Sequence, residues 1–154
     1  MTTLRVNGVE HEVQTNAAAA LLWALRDELG CASAKYGCGV GQCGACRVLI
    51  DGVPDSSCQT TVSDATGHDI TTLEGFVADG RAAPIVDALL AVDAGQCGYC
   101  LPGIATTLIA LHERGGAPPA RDVIVRALDD HLCRCGSQPR ILAAAFAAFG
   151  VADG

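Results

Sequence analysis

The stretch GCGVGQCGACRV, residues 37–48, sets Cys38, Cys43 and Cys46 among Gly37, Gly39, Gly41 and Gly44, then runs into the strand-like RVLIDGV. Three thiols this close together, on a backbone with so few side chains, describe a loop folded around something. Residues without a Cβ let a chain turn tightly, and successive N–H groups turned inward make a concavity that favours an anion.

Outward from this loop, TLRV and VEHEV flank Asn7-Gly8, the pair a two-residue hairpin turn prefers because both positions need positive φ. Thr15 or Asn16 can cap a helix whose apolar positions Ala18, Leu21, Leu22, Leu25 and Leu29 fall at helical spacing, with Gly30 placed to end it. Trp23 lies off that stripe and reads as packing. After the cysteine loop, RVLIDGV is a strand turning at Asp51-Gly52 and DITTL a further short strand. Residues 1–75 thus predict a small mixed sheet crossed by one helix.

The pattern changes near EGFVADGRAAP, where Gly75, Gly80 and Pro84 punctuate the chain. A boundary there separates off residues 76–154, in which helices are predicted over 84–93, 102–114, 120–132 and 139–149. Three start at or near a proline (Pro84, Pro102, Pro139), which the first helical turn tolerates because its N–H would be unpaired anyway. Short connections between them suggest a compact bundle, and the fold class is α+β.

Composition limits what such a chain does. It has 154 residues, half of them hydrophobic, with a mean hydropathy of +0.33. Yet its longest apolar runs, AAAALLWAL and ILAAAFAAF, fall far short of the roughly 18 residues a spanning helix needs, so no direct membrane insertion is expected. The first residues carry no basic patch followed by an apolar stretch. A cytoplasmic location is therefore expected, with periplasmic export alongside a signal-bearing partner as the alternative. A net charge of −7, with ten Lys and Arg scattered singly, argues against nucleic acid as a partner. The apolar excess points to surface buried against another polypeptide, although Ala- and Gly-rich composition alone gives the same figure.

Nine cysteines, an odd number, in a chain without an export signal indicate metal binding rather than a disulfide framework. Cys38, Cys43 and Cys46 have the C-x4-C-x2-C spacing of plant-type ferredoxins, in which three loop cysteines and one from elsewhere hold a 2Fe-2S cluster; Cys58 is the available fourth. N–H groups turned toward the sulfurs stabilise the reduced state and raise the potential. Structural zinc is the rival, since it also takes four thiolates and C-x2-C knuckles. A second set follows: Cys97-x2-Cys100, then Cys133-x-Cys135, each pair just before a helix start whose free N–H groups favour an anionic group. The C-x-C spacing constrains a tetrahedral single-metal site but suits a binuclear cluster, so a second 2Fe-2S cluster is expected there. Cys31 reads as a small buried hydrophobe. His11, His68, His112 and His131 are read as non-ligands, because no C-x-H pair exists. No Ser-His-acid set and no nucleotide loop can be made from these residues.

In order, KYGCGVGQCGACRVLIDG, SCQT, QCGYCLPG and HLCRCG resemble the small iron-sulfur subunit of the molybdenum hydroxylases, the xanthine dehydrogenase family, over nearly the whole chain. That resemblance implies a ferredoxin-like β-grasp domain holding one cluster on Cys38, Cys43, Cys46 and Cys58. It implies a four-helix domain holding the other on Cys97, Cys100, Cys133 and Cys135. It further implies a large subunit carrying a molybdenum-pterin cofactor and the substrate, with Gln96 and Cys135 lying against the pterin. Electrons would leave singly through the helical-domain cluster and then the ferredoxin-like one, toward a flavin subunit or a cytochrome. This chain would supply no acid, base or nucleophile. Many relatives continue the last motif as C-R-C-T-G-Y, whereas here it reads CRCGSQPRI. That variant is similar to the branch of isoquinoline and nicotinate oxidoreductases and membrane-linked aldehyde dehydrogenases, so an N-heterocycle or aldehyde substrate is expected and the acceptor stays open between flavin and haem. The alternative function is a free-standing two-cluster electron carrier.

Overall fold

A computed structural model describes residues 1–152. Asn7 and Gly8 take φ of 52° and 78°, the left-handed values that the hairpin turn requires, and join β1 (Thr2–Val6) to β2 (Val9–Val13) in antiparallel register. Asp51 and Gly52, at 50° and 78°, do the same for β3 (Arg47–Ile50) and β4 (Val53–Ser56). Among the described residues the two hairpins meet only through β5 (Asp69–Thr71), which runs parallel to β1 and antiparallel to β3. The sheet order is β2-β1-β5-β3-β4.

The predicted helix before the cysteine loop starts later and winds differently. Asn16 does accept the Ala18 N–H on its side chain (2.8 Å). But residues 17–20 then pair with a second segment: Ser63 N–H to Ala17 O, Val62 N–H to Ala19 O, and an isolated bridge between Ala20 and Thr61. Helix begins only at α1 (Leu21–Trp23) and continues as a π-helical turn over Ala24–Glu28. Leu21, Leu22, Ala24 and Leu25 are fully buried against Leu4, Val13, Val48 and Ile70, which form one hydrophobic cluster with this helix.

Beyond the sheet come α2 (Leu73–Ala78), α3 (Ala83–Ala91), α4 (Leu101–Glu113), α5 (Arg121–Ala127) and α6 (Gln138–Ala148). Prolines open α3, α4 and α6 as expected. The short α2 is an addition to the helices expected. α5 ends five residues before the predicted position 132, because the N–H groups of Leu128 and Asp129 turn back to carbonyls three residues earlier, tightening the chain into a loop. Phe76, Ile85, Ile104, Leu108, Ile124, Ile141 and Phe146 are the large side chains of a second hydrophobic cluster. The architecture is α+β, a mixed sheet followed by several helices. α4, buried along residues 103–110, lies against β3 and connects the two halves.

Candidate iron-sulfur sites

The glycine loop brings its thiols inside reach of its own backbone. Val40 and Gln42 donate their N–H groups to Cys38 Sγ at 3.4 and 3.2 Å, and Cys38 N–H donates to Cys43 Sγ at 3.3 Å. Gly37 has to be glycine for this: a Cβ there would meet Cys43 Sγ at 2.6 Å. Cys43 lies beside Cys38, and both Cys58 and Cys43 act on the buried Cys46 thiol.

In the second set Cys135 and Cys133 both act on Cys97, and Cys133 and Cys97 on Cys100. Cys100 caps the start of α4. Ser137, which opens α6, donates its N–H to Cys133 Sγ at 3.4 Å, so this loop too turns a helix-start N–H toward sulfur.

Each set has an outer and an inner side. Cys38 is exposed, and the Val40 N–H, with that of Gln42, brings its thiol down to about 7. Cys46 is buried, and burial pushes it up to about 11. In the second set the Tyr99 N–H lowers exposed Cys97, while burial raises Cys100 to about 11. Burial also pushes on Cys133, but the Ser137 N–H and the Cys100 thiol outweigh it and the net direction is down. Thiolates are what iron takes, so loading either set releases protons.

Among the described residues, no three His, Cys, Asp or Glu side chains gather as ligands of one metal ion. A binuclear cluster would take two thiolates on each of two irons, and the sulfur-directed N–H groups suit its anionic charge.

Of the eight predicted ligands, Cys38 and Cys43 are joined by the Cys38 N–H to Cys43 Sγ contact, and these two line one cavity with Cys97, Cys100 and Cys133. Gln96 and Cys135 are also neighbours, the Gln96 side chain donating to the Cys135 carbonyl at 3.2 Å. Cys31 lies apart, buried in the sheet-side cluster with its thiol raised by desolvation. Of the histidines, His68 sits 2.6 Å from Asp51, His112 packs against Phe149 and His11 lies in β2 opposite Leu4. His131 is buried between the two cysteine sets, its Nε2 2.9 Å from Thr107 Oγ. Sequence reasoning missed this last placement. The only signal for it was adjacency to LCRC, which says nothing of Thr107 on another helix.

A cavity of about 170 Å³ separates the sets, lined by Cys38, Cys43, Ala45, Cys97, Cys100 and Leu132 among others. Tyr99 and Leu132, 49 and 63% exposed, line it together with Arg134, while Tyr36 and Val40, 49 and 59% exposed, flank Cys38 along the chain. Trp23 stacks on Tyr36 at 5.4 Å, and Tyr99 donates its hydroxyl to the Tyr36 carbonyl at 2.5 Å.

Residues 4–71 match the model of the 2Fe-2S iron-sulfur cluster binding domain, and residues 72–146 that of the [2Fe-2S] binding domain. The chain is similar to the nicotinate dehydrogenase small FeS subunit of Eubacterium barkeri, 37% identical over 92% of this chain and 89% of that one. It is 41% identical to the alpha subunit of isoquinoline 1-oxidoreductase from Brevundimonas diminuta, over 80% of each. Among solved structures, quinoline 2-oxidoreductase of Pseudomonas putida 86 aligns with a TM-score of 0.81 at 33% identity, over 96% of this chain and 94% of that one. Fold and site together define a two-cluster iron-sulfur protein. The chain belongs to the small 2Fe-2S subunits of the molybdenum hydroxylase family.

Proposed function

We propose that this chain is the electron-transfer subunit of a molybdenum-pterin hydroxylase, passing electrons singly from the molybdenum site of a large partner subunit, through two 2Fe-2S clusters, to a flavin or haem acceptor. The observation that carries it is the pair of cysteine sets, each with backbone N–H groups turned toward sulfur and divided from the other by one small cavity. Cys38, Cys43, Cys46 and Cys58 hold one cluster and Cys97, Cys100, Cys133 and Cys135 the other. Bound there, the clusters would supply one-electron redox chemistry.

The chain's own residues bind, tune and shield. N–H groups of Val40, Gln42 and Ser137 point at sulfur, favouring the more negative reduced state. Gln96, exposed and hydrogen bonded to the Cys135 carbonyl, is placed to meet the partner's pterin, which puts the second cluster nearest the chemistry. The sheet order, with β5 parallel to β1 inside two hairpins, supports a β-grasp domain over 1–75. The two separate hydrophobic clusters support a helical domain over 76–154, whose last two residues lie outside those described. Relatives named for nicotinate, isoquinoline and aldehydes favour an N-heterocycle or aldehyde as the substrate of the assembled enzyme. We place that enzyme in the cytoplasm, with export alongside a partner as the alternative. No helix among the described residues is long and apolar enough to cross a membrane.

Metal and partner content after purification from the native host tests this. The expected result is about four irons per chain, molybdenum near one and a large polypeptide that co-elutes. Iron without molybdenum or any stable partner would replace the reading with a free-standing carrier, and zinc without iron would end both.

A further inference from the structure

We propose that the Cys43–Gly44 backbone is a keyed joint, gripped by α4 on one side and by the His131 ring on the other, and that this joint sets the separation and electronic coupling of the two cluster loops. The inference rests on the two-cluster reading above.

α4 is capped at its start by Cys100, of the second set. Three residues on, Gly103 packs so closely that a Cβ there would sit 2.1 Å from the Gly44 carbonyl oxygen. One helical turn further, on the same face, Thr107 Oγ lies 2.9 Å from His131 Nε2. The His131 ring covers the opposite side of the loop: a Cβ on Gly44 would lie 2.2 Å from Nδ1 and 2.7 Å from the Asp130 carbonyl oxygen. Gly44 also has φ of +70°, but Gly103 is ordinary helix, so close approach alone accounts for glycine at 103.

His131 is 2% exposed, its Nδ1 has no hydrogen-bond partner among the described residues, and its carbonyl is tied to the Gln138 side chain at 3.0 Å. A buried, half-satisfied imidazole carries a cost, and here it fills the space between two loops that must stay in register. What the grip holds is a backbone bond: Leu132 N–H donates to the Cys43 carbonyl at 3.1 Å. Leu132 precedes Cys133, so this hydrogen bond joins a ligand residue of one set to the neighbour of a ligand of the other. With clusters bound, this contact would serve the passage of one electron between the second set and the first. No bond breaks and no proton enters or leaves the joint.

The test uses the full, cluster-loaded chain, with iron content, the paramagnetic resonance signal of each reduced cluster, the magnetic splitting between them and hydrogen exchange at the Leu132 amide as readouts. Gly103→Ala inserts a methyl against the Gly44 carbonyl; His131→Ala removes the spacer and serves where the first fails to fold. Both are expected to keep four irons and both signals, to narrow or lose the splitting and to speed exchange at Leu132. His131→Gln, which refills the space and keeps a donor for Thr107, is expected to restore the splitting. Two intact clusters with unchanged splitting in both disruptive variants would overturn the joint. Fewer than two clusters in the unaltered chain would overturn the two-cluster reading itself, before any variant is made.

Discussion

Asn7 performs two roles with one side chain. Its backbone supplies the left-handed turn of the first hairpin, while its side chain accepts the Thr72 N–H at 2.9 Å and donates to Thr72 Oγ at 3.1 Å, fixing the start of α2. Asn7→Ala loses both bonds and strains the turn, so a loss of about 2 kcal/mol in denaturant unfolding is expected. The turn was legible in the sequence because Asn-Gly is a local signal; the bracket to Thr72 was not, because its partner lies 65 residues away. The cysteines divide similarly. Cys135→Ser is expected to cut iron to about half and remove one of the two resonance signals, leaving the other. Cys31→Ala is expected to leave iron content unchanged and cost about 1 kcal/mol for the small cavity.

Among the elements, α2 is tied to the segment before the glycine loop by Glu74, which accepts the Ser33 N–H at 2.7 Å and the Ser33 hydroxyl at 2.5 Å. Burial pushes this carboxyl up, but the Ser33 and Thr72 hydrogen bonds outweigh it and hold its pKa below the ordinary 4.5. A depressed native pKa means stability that is full above about 4.5 and is lost as pH falls through the native value. Glu74→Gln should therefore flatten the acid limb of a stability-against-pH curve relative to the unaltered chain, as followed by urea unfolding from neutral pH down through that range. The helices that the sequence made plain, α3, α4 and α6, have prolines at their starts and apolar faces of their own. Those it misplaced depend on distant chain: residues 17–20 gave up helix to pair with 61–63, and α5 stops where the chain must swing His131 under Thr107. Ligand spacing was local and hence readable, whereas the joint between the ligand loops was made by residues of no distinctive type.

For the whole molecule, part of the exposed apolar surface lies at the cysteine sites. Tyr99 and Leu132 line the cavity between them, and Tyr36, stacked on Trp23, accepts the Tyr99 hydroxyl. Large exposed apolar groups grouped over a functional site mark a face that another polypeptide covers. Leu132→Glu, 63% exposed at present, is expected to weaken co-purification with the large subunit while both clusters still assemble. An unchanged yield of complex would place the partner elsewhere. The sheet carries a different consequence. Its two hairpins, β1–β2 and β3–β4, are joined through the three residues of β5, which lies at the centre of the order but last in sequence. A chain emerging from the ribosome therefore makes both wings before it makes the strand that unites them. Because that closure spans more than sixty residues from Arg5 to Asp69, it is the slow, non-local step of folding. Until it occurs, Cys38, Cys43 and Cys46, between the two hairpins, and Cys58, just beyond the second, lie on chain that no closed sheet yet holds in place.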